Sequence, residues 1–543
     1  MRATSLFDSA MAGLQSAQSG MLVTSQNVTG SSVDGYVRRA SNVRVNGLSP
    51  TSVDLTGTSF AVEGFSRYFD RLLQGQVLSQ QSKTSFTQTL TQSVMPLDAM
   101  LTDPATSLAS ALGNFFNAAG SIANQPTNAA YQQSLIGNAR QVADRVRGLA
   151  NAVGQISDNA SQALADVLNQ ANSLTPQLAL INAKISASAT PGLSAPSADL
   201  LDERDRIAAK LQDLVGGTTL INEDATASFL VNGQHLVDRE TANSFANSSG
   251  TSPVRSDVPL TSLRIKVASV SGRSPVLLPI VMAAVPQRDG SGNPLLDGNG
   301  NSLMLPGQTA LKDGKAGAYV HLIQNFVPTV QKSINLLAVQ LVRKVNQVAS
   351  AAGLPIASIF GFSSTAAGGA ALTGKTSDTA GKALLDGLLL KPGGITGDYT
   401  YSDIVEASNP QSSNYRMAAD TNLSQAVFDA RQFQVVGTFD ASQFANMDAA
   451  ASASLESLRL SFSSPVTFIT SSVATTIATW KNDNKANEAL QKSLADQKSA
   501  ITGVNLDEEA ANLVKYQQLY NASSKLIQTG RQMFDTLLGM LSG

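Results

Sequence analysis

The sequence predicts a mainly α protein with β-rich inserted domains, closed at its two ends by long helices that pair as a coiled coil. Three observations carry this. Apolar residues recur every seven positions at both termini, the spacing of a helix that packs along another helix. Two interior blocks keep helical periodicity over long stretches. Between residues 216 and 318 the pattern changes to short β-like runs broken by Asn-Gly and Ser-Gly turns. The resulting division is 1–60, the N-terminal part of a terminal helical domain; 61–215, the first part of a helical middle domain; and 216–318, a β-rich insertion. Then come 319–352, a helical return segment; 353–430, a variable Gly/Ser-rich insertion; 431–500, the last part of the middle domain; and 501–543, the C-terminal part of the terminal domain.

At the N-terminus Phe7, Leu14, Met21 and Val28 are spaced by seven, with Ala10, Ala17 and Thr24 three residues after the first three of them. Ser5 and Asp8 fit a capping box at the start of this helix. Gly30, Asp34 and Gly35 end it, and residues 36–60 read as extended. The C-terminus is stronger: Leu506, Leu513, Tyr520, Ile527, Phe534 and Leu541 keep the spacing throughout. Asn505 can cap that helix, with Glu508 as its reciprocal partner. Asp507, Glu508 and Glu509 place negative charge at the positive end of the helix dipole. A helix of roughly 36 residues would reach about 54 Å, and such an apolar stripe must be covered by something. Inside, helices are expected over Phe65–Val94, Ala105–Asn124, Ala129–Lys184 with a break at Pro176, and Ala198–Val215. Helix returns over Val320–Ala352 and from about 470 to 500. Thr218–Ile221, Ser228–Val231 and Leu263–Val267 read as strands. The repeat beginning at Asp289 and again at Asp297 reads as two turns, each followed by a short strand.

Composition narrows the function. A length of 543 residues suggests three or four domains, and 43% hydrophobic residues are enough to bury real cores. Net charge is −2, with no basic patch interleaved with aromatics, which argues against nucleic-acid binding. The absence of cysteine removes disulfides, thiol catalysis and thiolate metal sites. Two isolated histidines, His235 and His321, count against His-based acid–base chemistry, though carboxylate-only chemistry stays open. No cofactor or metal is expected. Residues 1–20 lack the apolar region of a secretory signal, and no run of about 18 apolar residues suggests a membrane span.

Three motifs could carry chemistry, and each has a blander reading. Gly369-Ala-Ala-Leu-Thr-Gly374-Lys375-Thr376 fits the spacing of a phosphate-binding loop. A true loop follows a buried strand directly, and here Ser363–Gly368 intervene. Asp297-x-Asn299-x-Asn301 resembles half a calcium loop but has Ser302 and Gln308 where Gly and Glu are needed. The cluster from Asp199 to Arg206 has helical i,i+3 and i,i+4 charge spacing between Glu203, Asp202 and Arg206, and reads as a solvated or subunit-facing helix start.

The segments Ile501–Leu513, Lys515–Ile527 and Met533–Leu538 are similar, nearly position by position, to the terminal segment of the flagellar hook-associated protein 1 family. Asp199–Ile207, running on to Gly216, and Val231–Val237 match it too, as do Thr106–Leu108, Asn114–Phe116 and Gln133–Gly137. Ser25–Gly30 and Gly35-Tyr36-Val37-Arg38 resemble the family's Asn-x-Ala-Asn…Gly-Tyr-x-Arg pattern, with Thr29-Gly30 replacing the Ala-Asn pair. The resemblance implies a non-enzymatic subunit of the bacterial flagellum, lying extracellularly at the hook–filament junction after type III export without a cleaved signal. It implies polymerisation with itself into a ring or tube, with the insertions facing outward. It also implies contacts with hook protein and the second junction protein, and an export chaperone on the C-terminal helix. No nucleic acid or membrane is involved. The assembly interface would be Phe7, Leu14, Met21, Val28, Leu506, Leu513, Tyr520, Ile527, Phe534 and Leu541. The alternatives are a sister axial protein (second junction protein, hook protein or flagellin), an adhesin-like role for the insertions, or a nucleotide hydrolase using Lys375 and Thr376.

Overall fold

Secondary structure follows the sequence closely in a computed structural model of the chain. It describes residues 2–33, 35–46, 59–103, 107–188, 196–247, 249–250, 253–256, 260–267, 276–279, 285–286, 304–305, 311–351, 359–362, 389–390, 416–417, 430–435 and 449–541. Helix α1 (Arg2–Gly30) leads into a hairpin of β1 (Arg39–Asn46) and β2 (Ser59–Arg67). Four helices follow: α2 (Arg71–Thr102), α3 (Leu108–Asn124), α4 (Ala129–Ser188) and α5 (Ala198–Val215). A four-stranded antiparallel sheet comes next, in the order β3 (Thr218–Ile221), β4 (Ala227–Val231), β5 (Gln234–Asp238), β6 (Thr241–Ala242). A second sheet pairs β7 (Ser244–Ala246), β8 (Arg264–Val267) and β9 (Val276–Pro279). Short pairs join β10 (Val285–Pro286) to β11 (Met304–Leu305), β12 (Phe360–Phe362) to β15 (Phe433–Val435), and β13 (Leu389–Leu390) to β14 (Arg416–Met417). Helices α6 (Gly314–His321) and α7 (Val327–Ala351) flank a widened turn, Leu322–Phe326. The chain ends with α8 (Ala449–Thr502) and α9 (Leu506–Leu541).

Local chemistry explains the boundaries. The Asp70 carboxylate accepts from the Leu72 and Leu73 amides at 2.8 and 3.0 Å, which starts α2 at Arg71. Residues 65–67, expected as helix, therefore belong to β2, where Phe65 pairs with Ser41. Ser107 caps α3 by accepting from Ser110 N–H at 3.2 Å. Asn505 caps α9 as expected, accepting from the Asp507 and Glu508 amides. Glu508 does not reach back to it but pairs with Arg38. Helix α1 starts before Ser5, so the proposed capping box lies inside it.

Pro176 does not break α4, which runs on for 60 residues in all. A proline leaves the carbonyl four residues back without its donor. Here the Thr175 hydroxyl donates to that carbonyl, Asn172 O, at 3.4 Å. The widened turn at Leu322–Phe326 sits just before Pro328, where a wider helix relieves the clash of the proline ring with the carbonyl four residues back.

Two cores result. Helices α3, α4, α7 and α8 enclose the first around Phe115, Phe116, Phe360 and Phe433. The second lies between α4, α5 and the sheets, around Phe229, Phe245 and Leu211. Helix α4 is fastened to the β-strands by a ladder of asparagines. Asn172 donates to Phe245 O at 2.9 Å and accepts from Phe245 N–H at 2.6 Å. Asn169 does the same with Val254, and Asn182 with Ala227. Each amide takes the place of a neighbouring strand, so buried backbone groups stay paired. The predicted Asn232-Gly233 turn closes β4 onto β5 with φ of 49° and 79°, the two positive values of a two-residue hairpin turn.

The phosphate-loop match at 369–376 and the calcium-loop match at 297–308 lie outside the described residues, apart from Met304 and Leu305. So does most of the 353–430 insertion.

Candidate assembly interface

Helices α1 and α9 lie side by side and antiparallel. Phe7 packs against Gly530, Gly13 against Ser523 and Gly20 against Tyr516, so the register runs in opposite directions along the two chains. The contact is close because its residues are small. A Cβ on Gly20 would stand 2.3 Å from the Tyr516 ring, and one on Gly13 would stand 2.5 Å from the Ser523 hydroxyl. The buried face of α1 is Ala10, Ala17, Val23, Thr24 and Asn27. On α9 it includes Glu509 and Ser523.

The sequence-predicted stripe is divided by this pairing. Phe7, Leu14, Met21, Tyr520 and Ile527 are partly buried at its margins. Val28, Leu506, Leu513 and Phe534 are exposed, and the side chain of Leu541 is outside the described residues. Leu519, Leu526 and Met533 recur every seven residues on α9, each 38–54% exposed, while the exposed Leu506 and Leu513 lie roughly 120° or more around the helix from them. Those three form a short apolar row that the pairing with α1 leaves uncovered. Isolated exposed leucines are ordinary, but an aligned row of them marks an interaction surface.

At the base of the pair, Asn27 holds the chain as it turns back. Its amide donates to Arg39 O and accepts from Arg39 N–H, both at 3.0 Å, and its oxygen also accepts from the Tyr36 hydroxyl at 2.8 Å. Burial pushes the Tyr36 phenol up. The Arg38 guanidinium then reaches Glu509 at 2.9 Å and Glu508 at 3.0 Å on α9. Arg39, on the opposite face of the strand, reaches Asp199 at 2.6 Å and Asp202 at 2.9 Å on α5. Arg67 reaches Asp202 at 2.9 Å and Asp205 at 2.7 Å.

Of the two spacings read from sequence, i,i+4 from Asp202 and i,i+3 from Glu203, the second carries an ion pair to Arg206, and Asp202 is engaged by the hairpin. Arg206 pairs with Glu203, which holds the Glu203 carboxyl below its usual range. Asp202 turns inward to the hairpin because two guanidinium groups converge there. Desolvation nonetheless raises its pKa, against the pull of Arg67 and Arg39. Arg39 and Arg67 were not singled out from sequence. The spacing of Asp199, Asp202 and Asp205 at i, i+3 and i+6 does mark one acidic face of α5 and was the available signal.

His321 is half-buried against Trp480 and Phe86, with ring centroids 5.7 and 6.0 Å away, and desolvation lowers its pKa. Among the described residues no group of three acidic, His or Cys side chains could hold a metal, and no helix is long and apolar enough to cross a membrane.

Parts of this chain match known protein families. The family described as the flagellar hook-associated protein FlgK helical domain matches residues 94–274. The flagellar basal body rod FlgEFG protein C-terminal family matches residues 499–540, the α9 segment. Flagellar hook-associated protein 1 of Salmonella typhimurium is 24% identical over 591 aligned positions, covering 99% of this chain and 100% of that one. Over nearly its whole length this chain is similar to flagellar hook-associated protein 1. The protein of that name from Escherichia coli K12 is also 24% identical, over 99% of this chain and all of its own. A solved structure of the flagellar hook junction protein FlgK from Burkholderia pseudomallei is 23% identical, with TM-score 0.39, and covers 53% of this chain and 47% of that one. The two hook-associated alignments cover the α1 and α9 segments as well as the middle helices.

Proposed function

We propose that the chain is a structural, non-enzymatic subunit of the bacterial flagellum at the hook–filament junction, and that it assembles by helical polymerisation through α1 and α9. The observation that carries this is the uncovered apolar row of α9 beside a terminal pair already closed on small residues. The small face serves the chain itself, and the leucine face serves neighbouring subunits. Full burial of one such side chain contributes about 1.5–3 kcal/mol, so covering the exposed parts of Leu519, Leu526 and Met533 supplies an association term of a few kcal/mol at most.

On this reading the protein lies outside the cell in the flagellum, exported by the flagellar route. It contacts copies of itself, hook protein and the second junction protein, and its C-terminal helix is covered before assembly by an export chaperone. Phe7, Leu14, Met21, Val28, Leu506, Leu513, Tyr520, Ile527, Phe534 and Leu541 are the interface positions proposed.

The test replaces Leu519 and Leu526 with Glu in the full chain and asks whether a strain lacking the native gene swims. The expected result is a folded protein, by circular dichroism, that is absent from isolated hook–basal bodies. Normal swimming by that variant overturns the reading.

A further inference from the structure

Helices α1 and α9 and the β1–β2 hairpin form a terminal unit that contributes no described residue to either hydrophobic core. Only two short stretches of chain leave it, residues 68–70 and 503–505. The Arg38 backbone bridges them, donating to Thr502 O and accepting from Tyr68 N–H, each at 2.9 Å. Beyond this crossing the described contacts that tie the hairpin to α5 are ionic: Arg39 to Asp199 and Asp202, and Arg67 to Asp202 and Asp205.

That ionic contact is incompletely satisfied. Arg39 Nε and Arg67 Nε are buried without a hydrogen bond, and Asp202 Oδ1 meets Arg67 Nη2 at 2.9 Å only as an ion pair, off the hydrogen-bond angle. Burial raises the Asp202 pKa despite the two cations. A buried ion cluster of this kind gives up desolvation cost when it opens. A cleft of about 910 Å³ lies next to it, lined by Phe69, Arg71 and Leu72 and by Asp205, Ala208 and Leu220 among others. The space beside the crossing is therefore not filled by packing.

We propose that Arg39, Arg67 and Asp202 form a releasable clasp that fixes the angle of the terminal unit on the middle helices. When it opens, α1, the hairpin and α9 swing as one body about residues 68–70 and 503–505. The apolar row on α9 is thereby offered to neighbours at more than one tilt. This deepens the junction reading, but it is a property of the isolated chain and is tested there.

The chain has no cysteine, so spin labels can be placed without removing any. One pair, Gln15→Cys with Lys210→Cys, spans the clasp. A second pair, Gln15→Cys with Lys515→Cys, lies within the terminal unit. Dipolar distance measurement should give one narrow distribution for each pair in the parent. Arg39→Gln with Arg67→Gln leaves Asp199 and Asp202 without the cations that hold them to the hairpin, while Asp205 keeps Arg204 on its own helix. The first distribution should then broaden while the second stays narrow. Arg39→Lys with Arg67→Lys keeps the charge and should keep the first distribution narrow. Arg38→Gln, whose side chain meets Glu508, Glu509 and the Tyr68 ring but not α5, should leave it narrow as well. An unchanged first distribution in the Gln double variant overturns the clasp, and so does equal broadening by Arg38→Gln. Broadening of the second pair in the Gln double variant also overturns it, because the unit would then be unfolding and not swinging. A null result here in a strain that still builds its junction would refute the clasp alone.

Discussion

Arg38 and Arg39 are adjacent in the chain, yet one is held by Glu509, 471 residues away, and the other by Asp202, 163 residues away. The cause is the alternation of an extended strand, which sends successive side chains to opposite faces. One dipeptide thus meets both the terminal helix α9 and the middle helix α5. The main chain of Asn27's partner Arg39 is fixed at the same point.

Arg38→Gln should weaken the terminal unit without touching the cores. Glu509 is buried and would lose its cation, so the α1–α9 pair should be destabilised by about 2–3 kcal/mol. Hydrogen exchange should speed up in α1 and the first turns of α9, and stay unchanged in α4. Uniform loss of protection across both cores would contradict this.

Gly20→Val should separate the terminal helices. The ring of Tyr516 occupies the space a side chain needs, and overpacking of this kind costs about 1–3 kcal/mol. The double variant Gly20→Val with Tyr516→Ala should recover part of the loss, as read by thermal melting. No recovery would mean that the two residues do not meet.

Asn172→Ala should cost about 2 kcal/mol, because the N–H and C=O of Phe245 lose their partner inside the second core. Asn172→Asp should be no milder, since a carboxylate accepts from the N–H but cannot donate to the carbonyl. Urea unfolding of the two variants checks both statements.

The pH dependence turns on sign. The folded chain holds the Asp202 proton more tightly than an unfolded chain does, because desolvation raises its pKa from the ordinary 3.8. Ionising Asp202 therefore costs stability as pH rises through the window just above that value, and acidification returns it. Glu203, lowered by its hydrogen bond to Arg206, has the opposite sign: its contribution is present above its ordinary pKa and is lost as pH falls through the depressed one. Stability of Asp202→Asn should thus fall more steeply than that of the parent between about pH 6 and 4. Equal slopes in urea titrations would show that Asp202 is not desolvated.

Much of the helical framework was legible. The seven-residue rows at both ends, the Asn505 cap and α5 from Ala198 to Val215 lie where the sequence puts them. These signals are local and periodic, so they survive without tertiary information. The small-residue face was only partly visible. Ala10, Ala17 and Thr24 stood out as a row, but Gly13, Gly20 and Ser523 are residue types abundant throughout this chain. The asparagine ladder was invisible, because an Asn in a helix reads as surface until a strand is found beside it. Pro176 misled because proline's local penalty was counted without Thr175, whose hydroxyl takes up the orphaned carbonyl. The clasp joins residues far apart in sequence, and neither Arg39 nor Arg67 carries a local signature.

The antiparallel register of α1 and α9 also sets an order of events. Phe7 meets Gly530, so the first turns of the chain wait for almost its last residues. However the chain emerges, if its N-terminus leads, α1 is made long before its partner exists. The described residues of the two cores lie between 86 and 480 and can close in that interval. The terminal unit has the highest contact order in the molecule and should be the last to form.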